Sequence, residues 1–294
     1  MMTRAQTSRR RWLTRATEVF SMRLFDLFGI GAARADVPNA RAPQLARPEA
    51  FFQGQALALL QAALTGDATQ ARQLVAQSVD PNSHGPASTS KNVPQLTLLN
   101  YATGVQSERA LAILLSVGAD PLLKPREGDG DACLFAVVRS DAKMLDGLYG
   151  PFPLSRVPAQ RQAEDAFAAL GFNANTCLQA MFNHGLPPGV RDSRGDDLFM
   201  EALDREDFDT AEWLLVNIGV PLDGPPDRGG NTPANQVQRA LVEVLRPGSP
   251  SYLRYAKFKS IMERKGIVFP VESSAEYRAR TKGRAPPAAS PANR

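Results

Sequence analysis

The residues able to do chemistry are few. Only two histidines occur, His84 and His184, each at a loop or helix end. No second histidine, cysteine pair or H-E-x-x-H helix stands beside either, so the ligand spacing that zinc requires is missing. Both read as solvated turn histidines. Cys133 and Cys177 fall on the core-facing side of helical patterns and read as buried thiols, since a bridge would require an oxidising compartment and close Cα atoms. Neither G-x-S-x-G nor the phosphate-binding G-x-x-x-x-G-K-[ST] occurs, so nucleophilic and phosphoryl-transfer enzymes lack their minimum parts. Glu127-Gly-Asp129-Gly-Asp131 alternates carboxylates as a calcium loop does, but Val138 stands where the closing glutamate belongs. Asp204-Arg-Glu206-Asp207-Phe-Asp209 reads as a capped helix turn that presents negative charge to a basic partner. The expectation is a protein that is not an enzyme, with no catalytic residue, no metal and no cofactor.

Charge points the same way. The net charge is +4, yet residues 51–249 carry 15 Lys/Arg against 23 Asp/Glu, so the positive charge belongs to the two ends. A nucleic-acid reader carries its positive charge on the folded surface that meets phosphate, and no nucleic-acid partner is expected here. A hydrophobic content of 43% and a charged content of 22% match a soluble globular chain rather than a disordered one. No run reaches the apolar length of a membrane span.

Residues 1–50 read as a basic leader and linker, mostly disordered or forming one amphipathic helix. Ser8-Arg9-Arg10-Arg11-Trp12-Leu13 is similar to a twin-arginine export signal, and Ala33-Arg34-Ala35 to its cleavage site. Arg15, Glu18, Arg23 and Asp26 interrupt the apolar segment such a signal needs. Three other readings stand beside export: a disordered leader, a start at Met22, and a helix over residues 9–28 lying on a membrane surface with Trp12, Leu13, Phe20 and Leu24 along one side. The expected location is cytoplasmic, with a periplasmic or exported destination as the alternative.

The remaining chain is built from short helices in series. In Thr97–Pro121, Leu98, Leu99 and Ala102 mark one helix, and Ala110, Leu111, Leu114 and Leu115 mark a second from about Ser107 to Val117. Gly104 is expected to permit the reversal between them, and Gly118 to cap the second helix. Neither helix is long enough to stand alone in water, so the pair needs neighbours of its own shape. They are present. Leu57–Ala62 with Leu74, Val75 and Asp80-Pro81 repeats the pattern, and the alanine-to-leucine spacing is twelve in both copies. A degenerate third copy runs from Asp131–Ala136 to Leu145 and Leu148, and a fourth from Ala166 and Ala169 to Gly185. A fifth runs from Asp192 and Gly195 through Ala202 to Gly219. The sixth opens on Asp227-Arg-Gly-Gly230-Asn-Thr232-Pro233, where Thr232 caps a helix and Pro233 sits harmlessly in its first turn. Its second helix, about Tyr252 to Lys265, is basic on its polar side.

Thr97, Leu99, Ala102, Leu114, Leu115, Gly118, Ala119, Asp120 and Pro121 resemble the ankyrin repeat, whose pattern includes T-P-L-H-x-A and L-L-x-x-G-A-D-P. Asn100 replaces its histidine and Leu98 its proline. From Gly118 to Gly185 is 67 residues, close to two ankyrin periods of roughly 33. The resemblance implies an all-α solenoid of stacked helix-turn-helix units over residues 51–271, about six repeats, with disordered termini that include residues 272–294.

What the resemblance further implies is a non-catalytic, probing surface for an unidentified protein partner, with the chain itself a monomer. Ankyrin arrays bind proteins on the concave side, formed by the finger loops and the exposed flank of each first helix. Matching positions are Tyr101 and Val105, Phe135 and Arg139, and Glu201 and Arg205, with Arg126, Asp129, Arg194 and Arg228 on the fingers. Aromatic and arginine side chains of this kind are favoured at interface hot spots. Tyr101 and Phe135 have an equal alternative, which is to cover the neighbouring repeat. Two other readings come from different classes: an exported bacterial inhibitor or immunity-type protein neutralising a toxin or enzyme, and a membrane-surface adaptor using the leader helix.

Overall fold

The computed structural model describes residues 47–85, 95–126 and 130–282. The leader over residues 1–46 lies outside them, so the export, start-site and membrane-helix readings do too. Asp129 also lies outside. The described residues contain 13 α-helices and no strand. None is long and apolar enough to cross a membrane.

The helices are α1 (Gly54–Thr65), α2 (Ala68–Ala76), α3 (Leu98–Gly104), α4 (Glu108–Ser116), α5 (Ala132–Val138), α6 (Ala142–Tyr149), α7 (Ala159–Gly171), α8 (Asn175–Asn183), α9 (Leu198–Asp204), α10 (Phe208–Trp213), α11 (Pro233–Arg239), α12 (Pro250–Arg264) and α13 (Ser274–Thr281). Two wider π-type turns, Leu214–Ile218 and Ala240–Val244, extend α10 and α11. The chain divides into two compact units, with the passage from one to the other inside α7. The N-terminal unit holds the described residues up to Val157 and Ala168–Gly185, and the C-terminal unit holds Pro158–Phe167 and the residues from Leu186 onward.

Side-chain caps start most of these short helices. Thr97, Asp131, Asp197 and Thr232 accept from the backbone N–H three residues on at the heads of α3, α5, α9 and α11. Asp67, Ser107, Asp141 and Asp207 do the same for α2, α4, α6 and α10. Each cap satisfies a donor that the helix cannot, an effect of about 1 kcal/mol. At Thr97 and Thr232 the partner is an asparagine that also reaches back to the cap, with Asn100 Oδ1 2.6 Å from the Thr97 hydroxyl.

The reversals between paired helices share one geometry, and it differs from the expected one. Gly104 lies inside α3, and the left-handed residue is Gln106. Gly66, Ser140, Asn173 and Glu206 take the same conformation, each four residues after an alanine. In every case the next residue's N–H returns to that alanine's carbonyl. The bonds are Asp67 to Ala62, Ser107 to Ala102, Asp141 to Ala136, Ala174 to Ala169 and Asp207 to Ala202, at 2.8–3.0 Å. The alanine side chain is small enough for the helix contact, while its backbone carbonyl, which any residue would supply, closes the turn. Only Gly66 avoids the cost of placing a Cβ in this conformation, about 1–2 kcal/mol per residue. Gly66→Ala is expected to lower stability by about that amount, and a shifted urea midpoint at unchanged slope checks it.

In the N-terminal unit the pairs stack in chain order. α1 packs on α3 and α3 on α5, while α2 packs on α4, α4 on α6 and α6 on α8. Leu59, Leu60, Leu98, Leu99, Leu111, Leu114, Met144 and Leu145 fill the space between these rows and are fully buried. Cys133 and Cys177 are buried among them, as expected, and burial pushes the Cys177 thiol up to about 12. In the C-terminal unit α9 packs on α10 and α11, and α11 packs on α12. Phe199, Phe208, Tyr255 and Phe258 form its aromatic centre, with ring centroids 5.7–6.3 Å apart.

The expectation of disorder from residue 272 does not hold for its first part. A capping box at Ser273 and Glu276 starts α13, whose Arg280 forks onto Glu272 at 2.8 and 2.9 Å. Ser274 Oγ donates to Asn231 and Arg278 to the Gly229 carbonyl, so the helix is fastened to a preceding loop. Residues 283–294 lie outside the described residues.

Candidate protein-binding surface

The ten positions singled out above separate into core, surface and loop. Tyr101 is 3% exposed, and its ring meets Phe51 and Phe52 at centroid distances of 5.6 and 5.9 Å. Phe135 is also 3% exposed. Both are core residues, so the neighbour-covering alternative applies and neither offers contact area to a partner. All seven residues of α3 are buried, as are the six from Ala132 to Val137 in α5. A helix covered on all sides has no wet flank to lend.

The helix ends remain accessible. Val105 is half-buried just past α3, and Gln106 beside it is exposed. Arg139, in the equivalent turn after α5, donates from Nη2 to Gln106 Oε1 at 3.2 Å, and Gln106 Nε2 donates to Asp141 Oδ2 at 2.7 Å. This exposed row of amide, guanidinium and carboxylate links two successive turns. Arg126 is exposed on a loop whose backbone bonds to Gln95 at 3.3 Å.

His84 and His184 are less solvated than expected. His84 Nε2 lies 2.9 Å from the Lys124 carbonyl, joining successive loops. His184 Nε2 lies 2.9 Å from Asp146 Oδ1, and its ring sits against Tyr149. Each makes a specific contact inside its unit, and neither is part of a metal cluster. No group of three or more metal-capable side chains occurs among the described residues.

Arg194 and Arg228 stand on two loops of the C-terminal unit, with Glu201 on α9 and Arg205 just past its end. In the first loop Asp192 Oδ1 accepts from the Arg194 and Asp196 N–H groups at 2.8 and 3.0 Å. In the second, Asp227 Oδ1 accepts from Gly229 and Asn231 at 2.7 and 2.6 Å. The D-x-x-G turn is thus built twice in the same way, with the aspartate bonding its own loop. The loops touch through backbone: Arg228 N–H donates to the Arg194 carbonyl at 2.9 Å. A Cβ added at Gly195, where φ is +89°, would sit 3.2 Å from Asp227 Cα.

Arg194 is the hub of this region. Its guanidinium reaches Asp192 at 2.8 Å, Asp196 at 2.8 Å and Glu201 at 3.5 Å. Glu201 on α9 is 2% exposed, which withdraws it from the groove positions. Burial pushes its carboxyl up to about 7, against the pull of Arg194 and Arg205. A folded-state value above the unfolded one stabilises the fold at low pH, and that contribution is lost as pH rises from about 4.5 to about 7. Glu201→Gln, neutral throughout, is expected to flatten this part of the profile. Urea midpoints from pH 4.5 to 8 check it, and a parallel pair of profiles would contradict it. Arg205 is half-buried and Arg228 exposed.

The acidic stretch after α9 has its partners within the unit. Asp204 accepts from Gln236 at 2.7 Å, and Asp207 caps α10. Asp209 pairs with Arg254 at 3.3 Å, and Glu212 with Lys257 at 2.6 Å. The basic face of α12 and the acidic turn therefore face each other. No family model matches the chain, and no curated protein matches it.

Proposed function

We propose that the chain is an ankyrin-type repeat protein, an all-α solenoid acting as a non-catalytic protein-binding module. The observation that supports this most is the reversal that closes successive helix pairs four residues after Ala62, Ala102, Ala136, Ala169 and Ala202. A geometry renewed at each pair is what a repeat architecture requires, because each repeat contacts only its neighbours. In such an array the stacking residues are constrained, while the loop and turn residues are released for recognition. Val105, Arg126, Arg139 and Arg228 are the partner-facing side chains in this reading, being half-buried or exposed where Tyr101, Phe135 and Glu201 are not.

The test is capture of a protein from native lysate by the full chain and by a variant carrying Arg126→Ala, Arg139→Ala and Arg228→Ala. A partner retained by the first and lost from the second, with equal melting curves, supports the reading. Turnover of a substrate by the purified chain that the triple variant lacks would overturn it. Substitution of Tyr101 has no place in such a variant, because it would disturb the core.

A further inference from the structure

In the C-terminal unit the first D-x-x-G loop is covered by the second at two points. The Arg194 carbonyl accepts from the Arg228 N–H at 2.9 Å, and a Cβ on Gly195 would sit 3.2 Å from Asp227 Cα. Over the second loop the same two points are covered by α13. The Gly229 carbonyl, the counterpart of that of Arg194, accepts from Arg278 Nη1 at 3.2 Å. A Cβ on Gly230, the counterpart of Gly195, would meet Tyr277 Cδ1 at 2.8 Å and the Ser274 carbonyl at 3.1 Å. So α13 stands where the next loop of an array would stand.

The residues leading into α13 are held through their main chain. Gln238 of α11 donates from Nε2 to the Val271 carbonyl at 3.0 Å and accepts the Val271 N–H on Oε1 at 2.8 Å. Its amide thus pairs with both backbone groups of one residue, as a neighbouring strand would. Asn235, one turn earlier, donates to the Glu272 carbonyl at 3.4 Å. Every residue but proline offers these backbone groups, so the contacts read a peptide edge and not its side chains. No residue of α13 is buried. A segment with no core of its own, fastened by polar contacts, opens at lower cost than the packed helices beneath it.

From these contacts we infer that α11 and the loop before it form a peptide-docking seat, which residues 271–281 fill in cis as a releasable strap. The ligand of the seat is a peptide segment with a free main-chain edge that runs into a short helix carrying an arginine where the strap has Arg278. The strap keeps the seat closed, and its release opens the seat to such a segment from a partner. Tethered within a few residues of α12, the strap competes at an effective concentration on the order of millimolar, which excludes a weak segment from solution. The strap stands independently of the binding reading, which needs no movement of α13.

The experiment compares three full chains: wild type, Val271→Pro, and Val271→Pro combined with Gln238→Ala. Proline removes the Val271 N–H and leaves the α11 side of the seat intact. Hydrogen exchange reads the Tyr277 amide of α13, with the Asp207 amide of the same unit as the reference. Val271→Pro is expected to speed exchange at Tyr277 about tenfold, with Asp207 unchanged. The binding probe is a fluorescent synthetic peptide of residues 268–282, followed by anisotropy. It is expected to bind Val271→Pro, and to bind wild type and the double variant about tenfold more weakly. Unchanged protection of Tyr277 in Val271→Pro, or equal acceleration at Tyr277 and Asp207, would overturn the strap. Peptide binding that is absent from Val271→Pro, or equal in all three chains, would overturn the seat.

Discussion

Replacing Tyr101 by alanine is expected to destabilise the N-terminal unit by about 3–5 kcal/mol, a core-sized loss. The ring is enclosed by Phe51 and Phe52 and by the surrounding hydrophobic layer, at 3% exposure. Truncation removes the transfer energy of the ring and leaves a cavity that rigid neighbours fill only in part. Two tilted or edge-on aromatic contacts are lost as well, each about 0.5–1.5 kcal/mol beyond the area they bury. Tyr101→Phe keeps the ring and should cost much less. Urea denaturation of the three proteins separates the cases. An unchanged midpoint in Tyr101→Ala would return the side chain to the surface, where the sequence pattern alone had allowed it.

Phe258→Ala is the second large effect, again about 3–5 kcal/mol, now in the C-terminal unit. Phe258 lies at the centre of an aromatic cluster, edge-on to Phe199 at 5.7 Å and within 6.2 and 6.3 Å of Tyr255 and Phe208. With Tyr255, whose ring meets Phe208 and whose hydroxyl donates to the Leu203 carbonyl, it packs α12 against residues of α9 and α10. The surface pairs Arg254–Asp209 and Lys257–Glu212 also join α12 to α10 but are exposed enough to contribute only about 0–1 kcal/mol each. Thermal melts should therefore show a large loss for Phe258→Ala and a small one for Lys257→Ala. The reverse order would mean that α12 is held by charge rather than by packing.

Local structure was largely legible in the sequence. The Leu98 start of α3, the Thr232 cap before Pro233 and the left-handed Gly118 all follow from side-chain chemistry within four residues. Three readings failed for physical reasons. Glycine at 104 suggested the reversal because glycine tolerates left-handed backbone, yet the turn is positioned by its bond to Ala102 and falls on Gln106. Gly66, four residues after Ala62, carried that signal. The helix at Ser274–Thr281 was hidden by the prolines further on, although Ser273 and Glu276 form a readable capping box. Tyr101 and Phe135 follow the alternative of covering the neighbouring repeat, and Glu201 is buried where a partner-facing position was expected, for a deeper cause. Helical periodicity assumes one wet face, whereas α3 is buried at every position. The charge pairing of α12 with the acidic turn was beyond sequence reading, since Lys257 and Glu212 are 45 residues apart.

The division of labour among side chains is the central claim: buried positions hold the array, and the turn residues meet a partner. A photo-crosslinking amino acid placed at position 126 or 139 of the full chain, both in the N-terminal unit, with position 112 on α4 of the same unit as the comparison, tests this most directly. Ala112 is exposed on the second helix of its pair, away from the turns. In native lysate, positions 126 and 139 are expected to yield the same crosslinked protein, and position 112 none. Crosslinking of that protein from position 112, with positions 126 and 139 silent, would contradict the account and transfer recognition to the outer helices.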